Sequence, residues 1–223
     1  MTQTFTREHK AKLEEYLATH PLSSGLGSKE SACSIAAINL AMRGTLTDET
    51  PDCMSKVLGD STISLQDAMP YAMRNSTRYK TLLPEMAGTR REHEQERLAI
   101  IMDWMWSVVL PQLQQIADSK GFGDAWKNMC QLKTADAAKA ANNAYAVADS
   151  AATYAASSAD AAARAVYDVG STKQKVATVC AATLAARAAT AAAEALDDPD
   201  FWETVDPIGV LERMTYLNME TTE

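Results

Sequence analysis

The 223-residue chain is poor in the side chains that most often carry chemistry. It has three histidines, His9, His20 and His93, and none stands in an H-x-x-x-H or H-E-x-x-H pattern. No Glu lies three positions before a His and no His-Asp dipeptide occurs. Zincin sites, the ligand motif of di-iron bundles and the His-Asp pair of metal phosphohydrolases are thereby excluded. No G-x-G-x-x-G, G-x-x-x-x-G-K-[ST] or G-x-S-x-G run is present, so phosphate cradles and the nucleophile elbow lack support. The four cysteines, Cys33, Cys53, Cys130 and Cys180, are too far apart in sequence for a C-x-x-C clamp, and buried free thiols are expected. No metal, cofactor or catalytic group is expected from these patterns.

Long apolar runs are also missing. The best candidate, Leu98 to Leu110, is broken by Asp103 and falls short of the ~20 residues of a membrane span. The first ten residues contain no apolar core of the signal-peptide kind, from which a soluble cytoplasmic protein is expected. Positive charge is scarce: the net charge is −8. Residues 1–120 carry a net of −2 and residues 121–223 a net of −6. Phosphate backbones require clustered Lys and Arg, so direct nucleic-acid binding is not expected, whereas a basic protein surface suits this charge.

What is abundant is alanine. The chain has 40 Ala, and 28 of them fall between Thr134 and Leu196. Ala is the strongest helix former and is depleted in strands, so the fold class expected is all-α: a helical bundle with a long Ala-rich antiparallel hairpin and several short helices. Thr residues in the Ala-rich stretch show no 11-residue period, which excludes an ice-binding helix. A coiled-coil seam needs larger side chains than these.

Punctuation divides the chain. Thr6 caps a helix to about His20, and Ser28 caps a second that ends before Gly44. Thr50-Pro51 opens a short helix ending at Gly59, residues 62–74 form another, disturbed at Pro70, and Ser76 starts a third. Thr89-Arg90-Arg91-Glu92 reads as a capping box opening a helix to about Lys120, kinked or split at Pro111. Asp124 caps a short helix bearing Trp126 and Met129. Thr134 caps a helix spanning Ala135 to Val169, Gly170-Ser171 turns the chain, and a second Ala-rich helix runs to about Leu196. Asp198-Pro199 and Asp206-Pro207 each start short helices. The expected organisation is an N-terminal helical region, 1–133, and an Ala-rich hairpin with acidic short helices, 134–223, packed as one unit.

Three surfaces stand out. Thr183, Arg187, Thr190 and Glu194 share a helix face and read as partly exposed charges at the bundle edge. The charged run from Arg90 to Arg97 offers a basic pair, Arg90-Arg91, at a helix start, and reads foremost as a solvated first turn. The sharpest candidate is the acidic C-terminal segment. Asp197, Asp198, Asp200, Glu203 and Asp206 lie within ten positions around Phe201 and Trp202. Aromatic anchors ringed by like charge suit an interface to a basic partner. Asp200, Glu203 and Asp206 also recur every three residues, as cation ligands on one helix face would, but Asp206-Pro207 interrupts that helix.

The runs Ser31–Leu40 and Glu94–Trp106, with the Ala-rich tail before Phe201-Trp202-Glu203, resemble a group of Ala-rich helical proteins scattered among bacterial and phage-derived genomes. The resemblance supplies no site residue. It implies an accessory gene of a mobile element, a setting in which small binding proteins, anti-CRISPR proteins among them, block a host complex. The function expected is a non-enzymatic protein-binding module that inhibits a basic, nucleic-acid-binding assembly. The alternatives are a helical enzyme with a dispersed carboxylate or metal site, and a self-associating structural protein. Oligomeric state is left open.

Overall fold

A computed structural model describes residues 4–145, 157–158, 160–161 and 174–217. The protein is all-α, and no strand occurs among the described residues. In chain order the α-helices are α1 (Arg7–Thr19), α2 (Ser34–Arg43), α3 (Lys56–Ala68), α4 (Tyr71–Arg74), α5 (Thr77–Met86), α6 (Glu94–Trp104), α7 (Gln114–Ser119), α8 (Gly123–Leu132), α9 (Ala135–Tyr145), α10 (Gln174–Leu196), α11 (Phe201–Val205) and α12 (Pro207–Thr215). The turn expected at Gly170-Ser171 and most of the expected first Ala-rich helix lie outside the described residues.

The chain divides into two compact units. One comprises Met1–Arg97 with Pro207–Glu223, the other Leu98–Asp206. The last helix, α12, packs on α3 and α5 of the first unit, because Ile208, Val210, Leu211 and Met214 form a buried apolar stripe.

In the first unit α1 packs on α2 and α5, and α2 on α3 and α5. Thr6 caps α1 as expected: its Oγ1 accepts from His9 N at 3.2 Å while His9 Nδ1 accepts from Thr6 N. Ser76 caps α5 by accepting from Tyr79 N. The core joins Leu13, Leu17, Ile35, Ile38, Leu58 and Leu83. A polar knot sits within it. Ser34 Oγ bonds both Gln66 Oε1 and the Tyr79 hydroxyl, the latter at 2.9 Å, and Gln66 Nε2 donates to Ser23 O. Burial pushes the Tyr79 phenol well above its ordinary range, so it stays a neutral donor and acceptor.

Two helix starts in this unit differ from expectation. α2 begins at Ser34, not after Ser28, and its cap is Cys33, whose Sγ accepts from Ala36 N at 3.4 Å. Residues 27–32 are occupied by a turn in which Gly27 bridges to Ala32. Gly27 has φ +75°, and a Cβ there would lie 2.0 Å from Ser31 O. Similarly, Thr50-Pro51 starts no helix, and α3 runs straight through Gly59. A Cβ at Gly59 would lie 2.4 Å from the Thr50 methyl, so this glycine serves close packing inside a helix.

In the second unit α6 continues into a π-helical turn at Met105–Val109 and a 3₁₀ turn at Leu110–Leu113 before α7. Pro111 has no N–H and cannot join an α-helical ladder, so the hydrogen-bond register shifts around it. α10 packs on these turns. Ala181, Ala182, Ala185, Ala186, Ala188, Ala189 and Ala192 are fully buried, while Cys180, Arg187 and Glu194 are exposed and Thr183 and Thr190 are half-buried. The polar strip expected on this helix is thus its outer edge. Each buried Ala contributes about 0.8 kcal/mol, against about 1.5–3 kcal/mol for a larger side chain, so close approach substitutes for size here.

Candidate acidic interface and charged loop

The acidic segment follows directly from the end of α10. Asp197 adopts a left-handed conformation, φ 48°, and its N–H still bonds Ala193 O at 3.1 Å, which ends the helix. Asp198 then turns the chain: its Oδ1 accepts from Asp200 N at 2.9 Å and its carbonyl from Phe201 N at 3.2 Å. α11 therefore starts at Phe201, later than the Asp198-Pro199 signature suggests. Asp206, left-handed at φ 44°, closes α11, and Pro207 opens α12 immediately afterwards.

The two aromatics point inward. Phe201 is 1% exposed and Trp202 7%, and their rings meet edge to face with centroids 5.3 Å apart. The Trp104 indole donates to Val205 O at 2.6 Å, tying α11 down from α6. Asp197, Asp198, Asp200 and Glu203 are exposed, and Asp206 is half-buried. Among the described residues no cation pairs with Asp197, Asp198, Asp200 or Glu203. Nor do three His, Cys, Asp or Glu side chains converge as metal ligands among the described residues, so the every-third-residue spacing of Asp200, Glu203 and Asp206 does not assemble a cation site.

The Arg90–Arg97 run is built differently from its capping-box reading. Thr89 Oγ1 is engaged by Ser55 N and Met86 O, and α6 starts only at Glu94. Glu94 faces another helix. Its carboxylate accepts from Ser55 Oγ at 2.8 Å, Lys56 N at 2.8 Å and Val57 N at 3.0 Å, satisfying the free donors at the start of α3. Arg90 and His93 are both left-handed, at φ 53° and 60°. Arg97 is 2% exposed, and its guanidinium donates to the carbonyls of Met214 (2.9 Å), Thr89 (3.4 Å) and Glu92. Nothing in the local sequence marks Arg97 as buried, since an Arg in a charged run reads as surface.

Compared with protein-family models, with curated proteins and with solved structures, the chain matches none. Among the described residues no helix is long and apolar enough to cross a membrane.

Proposed function

We propose that the protein is a protein-binding module whose acidic segment, Asp197 to Asp206, docks on a basic surface. One observation carries the reading: four exposed carboxylates without a cation partner among the described residues stand on a segment pinned by buried Phe201 and Trp202 and by the Trp104–Val205 bond. Like charges held together repel, and a cationic partner relieves that repulsion. Phe201 and Trp202 serve as the footing of the interface, and the carboxylates make the contact. A groove that a larger assembly uses for nucleic acid has the complementary charge. Occupying such a groove makes the protein an inhibitor of that assembly, and no catalytic step is required.

The test is capture of a partner from lysate of the source organism by the wild-type chain and by a quadruple charge-reversal variant at Asp197, Asp198, Asp200 and Glu203. The reading expects a partner with a basic face, released by nucleic acid and by salt, and lost with charge reversal. Retention of the same partner by the reversed variant contradicts it.

A further inference from the structure

We infer that the first unit contains a binding cleft for a small organic oxyanion, a carboxylate or a phosphate ester, centred on Arg90, with the charge of the buried Arg97 behind it. Two adjoining cavities, of about 740 and about 500 Å³, share Phe5, Gly88, Arg90 and Glu92 in their walls. Both are depressions open to solvent, with room for a small ligand lying against the wall. Arg97 lines the smaller cavity and Arg91 the larger.

The charges in these walls do not cancel. Lys10 is paired with Glu85 at 2.6 Å, and Arg91 with Asp52 at 2.8 Å. That leaves two cations, Arg90 and Arg97, against one carboxylate, Glu92, in a protein whose net charge is −8. Arg97 is the informative one. A buried guanidinium is ordinarily matched by a carboxylate, yet its nitrogens meet only carbonyl oxygens, and no carboxylate lies within ion-pair distance of it among the described residues. Of its acidic neighbours, Glu94 is committed to the start of α3 and Glu96 to His93 at 3.2 Å. The guanidinium of Arg90 has no hydrogen-bond or ion-pair partner among the described residues, although its backbone is held left-handed by an Arg90 N to Cys53 O bond of 2.9 Å. Such a conformation is rare for a residue with a side chain and collects at ligand sites. The exposed guanidinium of Arg90 can meet an oxyanion in fork geometry, the buried Arg97, whose nitrogens are spent on carbonyls, adds its charge from behind the wall, and Phe5 offers an apolar surface for the remainder of the ligand.

The probe is phenyl phosphate, titrated into the full chain and followed by amide NMR, with inorganic phosphate and sodium chloride of matched ionic strength as companions. Saturating shifts are expected at Phe5, Arg90 and Arg97 with phenyl phosphate, weaker ones with inorganic phosphate, and none with chloride. Arg90→Gln is expected to weaken binding by about tenfold or more, as loss of a charge-assisted contact does, and Glu92→Gln to tighten it. Absence of saturation in the folded wild type, equal affinity in Arg90→Gln, or weakening by Glu92→Gln would overturn the inference.

Discussion

Glu94 caps a helix to which it does not belong: its carboxylate accepts the Ser55 hydroxyl at 2.8 Å and, with it, the backbone N–H groups of Lys56 and Val57. An anion at this place satisfies donors that a helix start leaves open and meets the positive end of the helix dipole. Ser55 is itself occupied in capping Leu58 N at 3.1 Å, so serine and glutamate together complete the first turn of α3.

Glu94→Ala is accordingly expected to destabilise the first unit by about 2 kcal/mol or more, since charge-assisted bonds are lost and their donors are left behind. Glu94→Gln retains shape and part of the bonding and falls between alanine and wild type. Urea denaturation measures both. A change within about 0.5 kcal/mol for Glu94→Ala, the range of ordinary surface substitutions, contradicts the role.

Trp104→Phe keeps a large ring at a position 2% exposed but removes the donor to Val205 O. A cost of about 1–3 kcal/mol is expected, the range for a buried acceptor left unpaired. Because that bond ties down α11, amide exchange should quicken at Phe201–Val205 more than in α8. Uniform exchange rates across the second unit would show that the bond does not pin the acidic segment.

The thiols give a pH dependence. Burial pushes the Cys130 thiol from its ordinary 9.0 up to about 11, and raises Cys33 and Cys53 as well. Well below pH 9.0 the thiol of Cys130 is protonated in both the folded and the unfolded chain and stability is indifferent to it. Between 9.0 and about 11 the unfolded chain releases a proton that the folded chain keeps, so stability falls as pH rises through that window. Cys130→Ala should flatten part of the slope. At about pH 8, a disulfide reagent should find one fast thiol, the exposed Cys180, because the buried Cys33 and Cys53 and the half-buried Cys130 hold little thiolate. A fast phase that survives Cys180→Ser contradicts this.

The features legible in the sequence are those decided within a few residues. The caps at Thr6, Ser76 and Thr134, the left-handed stop at Gly44 and the register break at Pro111 all depend on near neighbours. The misread features depend on distant ones. Thr89 and Glu94 spend their side chains around Ser55, which dissolves the apparent capping box. Gly59 looks like a helix stop until Thr50 is seen against it, and Cys33 seldom caps a helix. The acidic segment is visible as composition. That its aromatics turn inward, and that Arg97 is buried beside a cleft, follows only from tertiary packing.

Carbodiimide cross-linking of the captured complex probes the docking account most directly, because the reagent joins carboxylates to lysine amines only where they touch. The account predicts cross-links from Asp197, Asp198, Asp200 or Glu203 to a lysine-rich face of the partner, and their disappearance when nucleic acid occupies that face. Cross-links confined to other carboxylates of this chain, with the acidic segment unmodified by the partner, would contradict it.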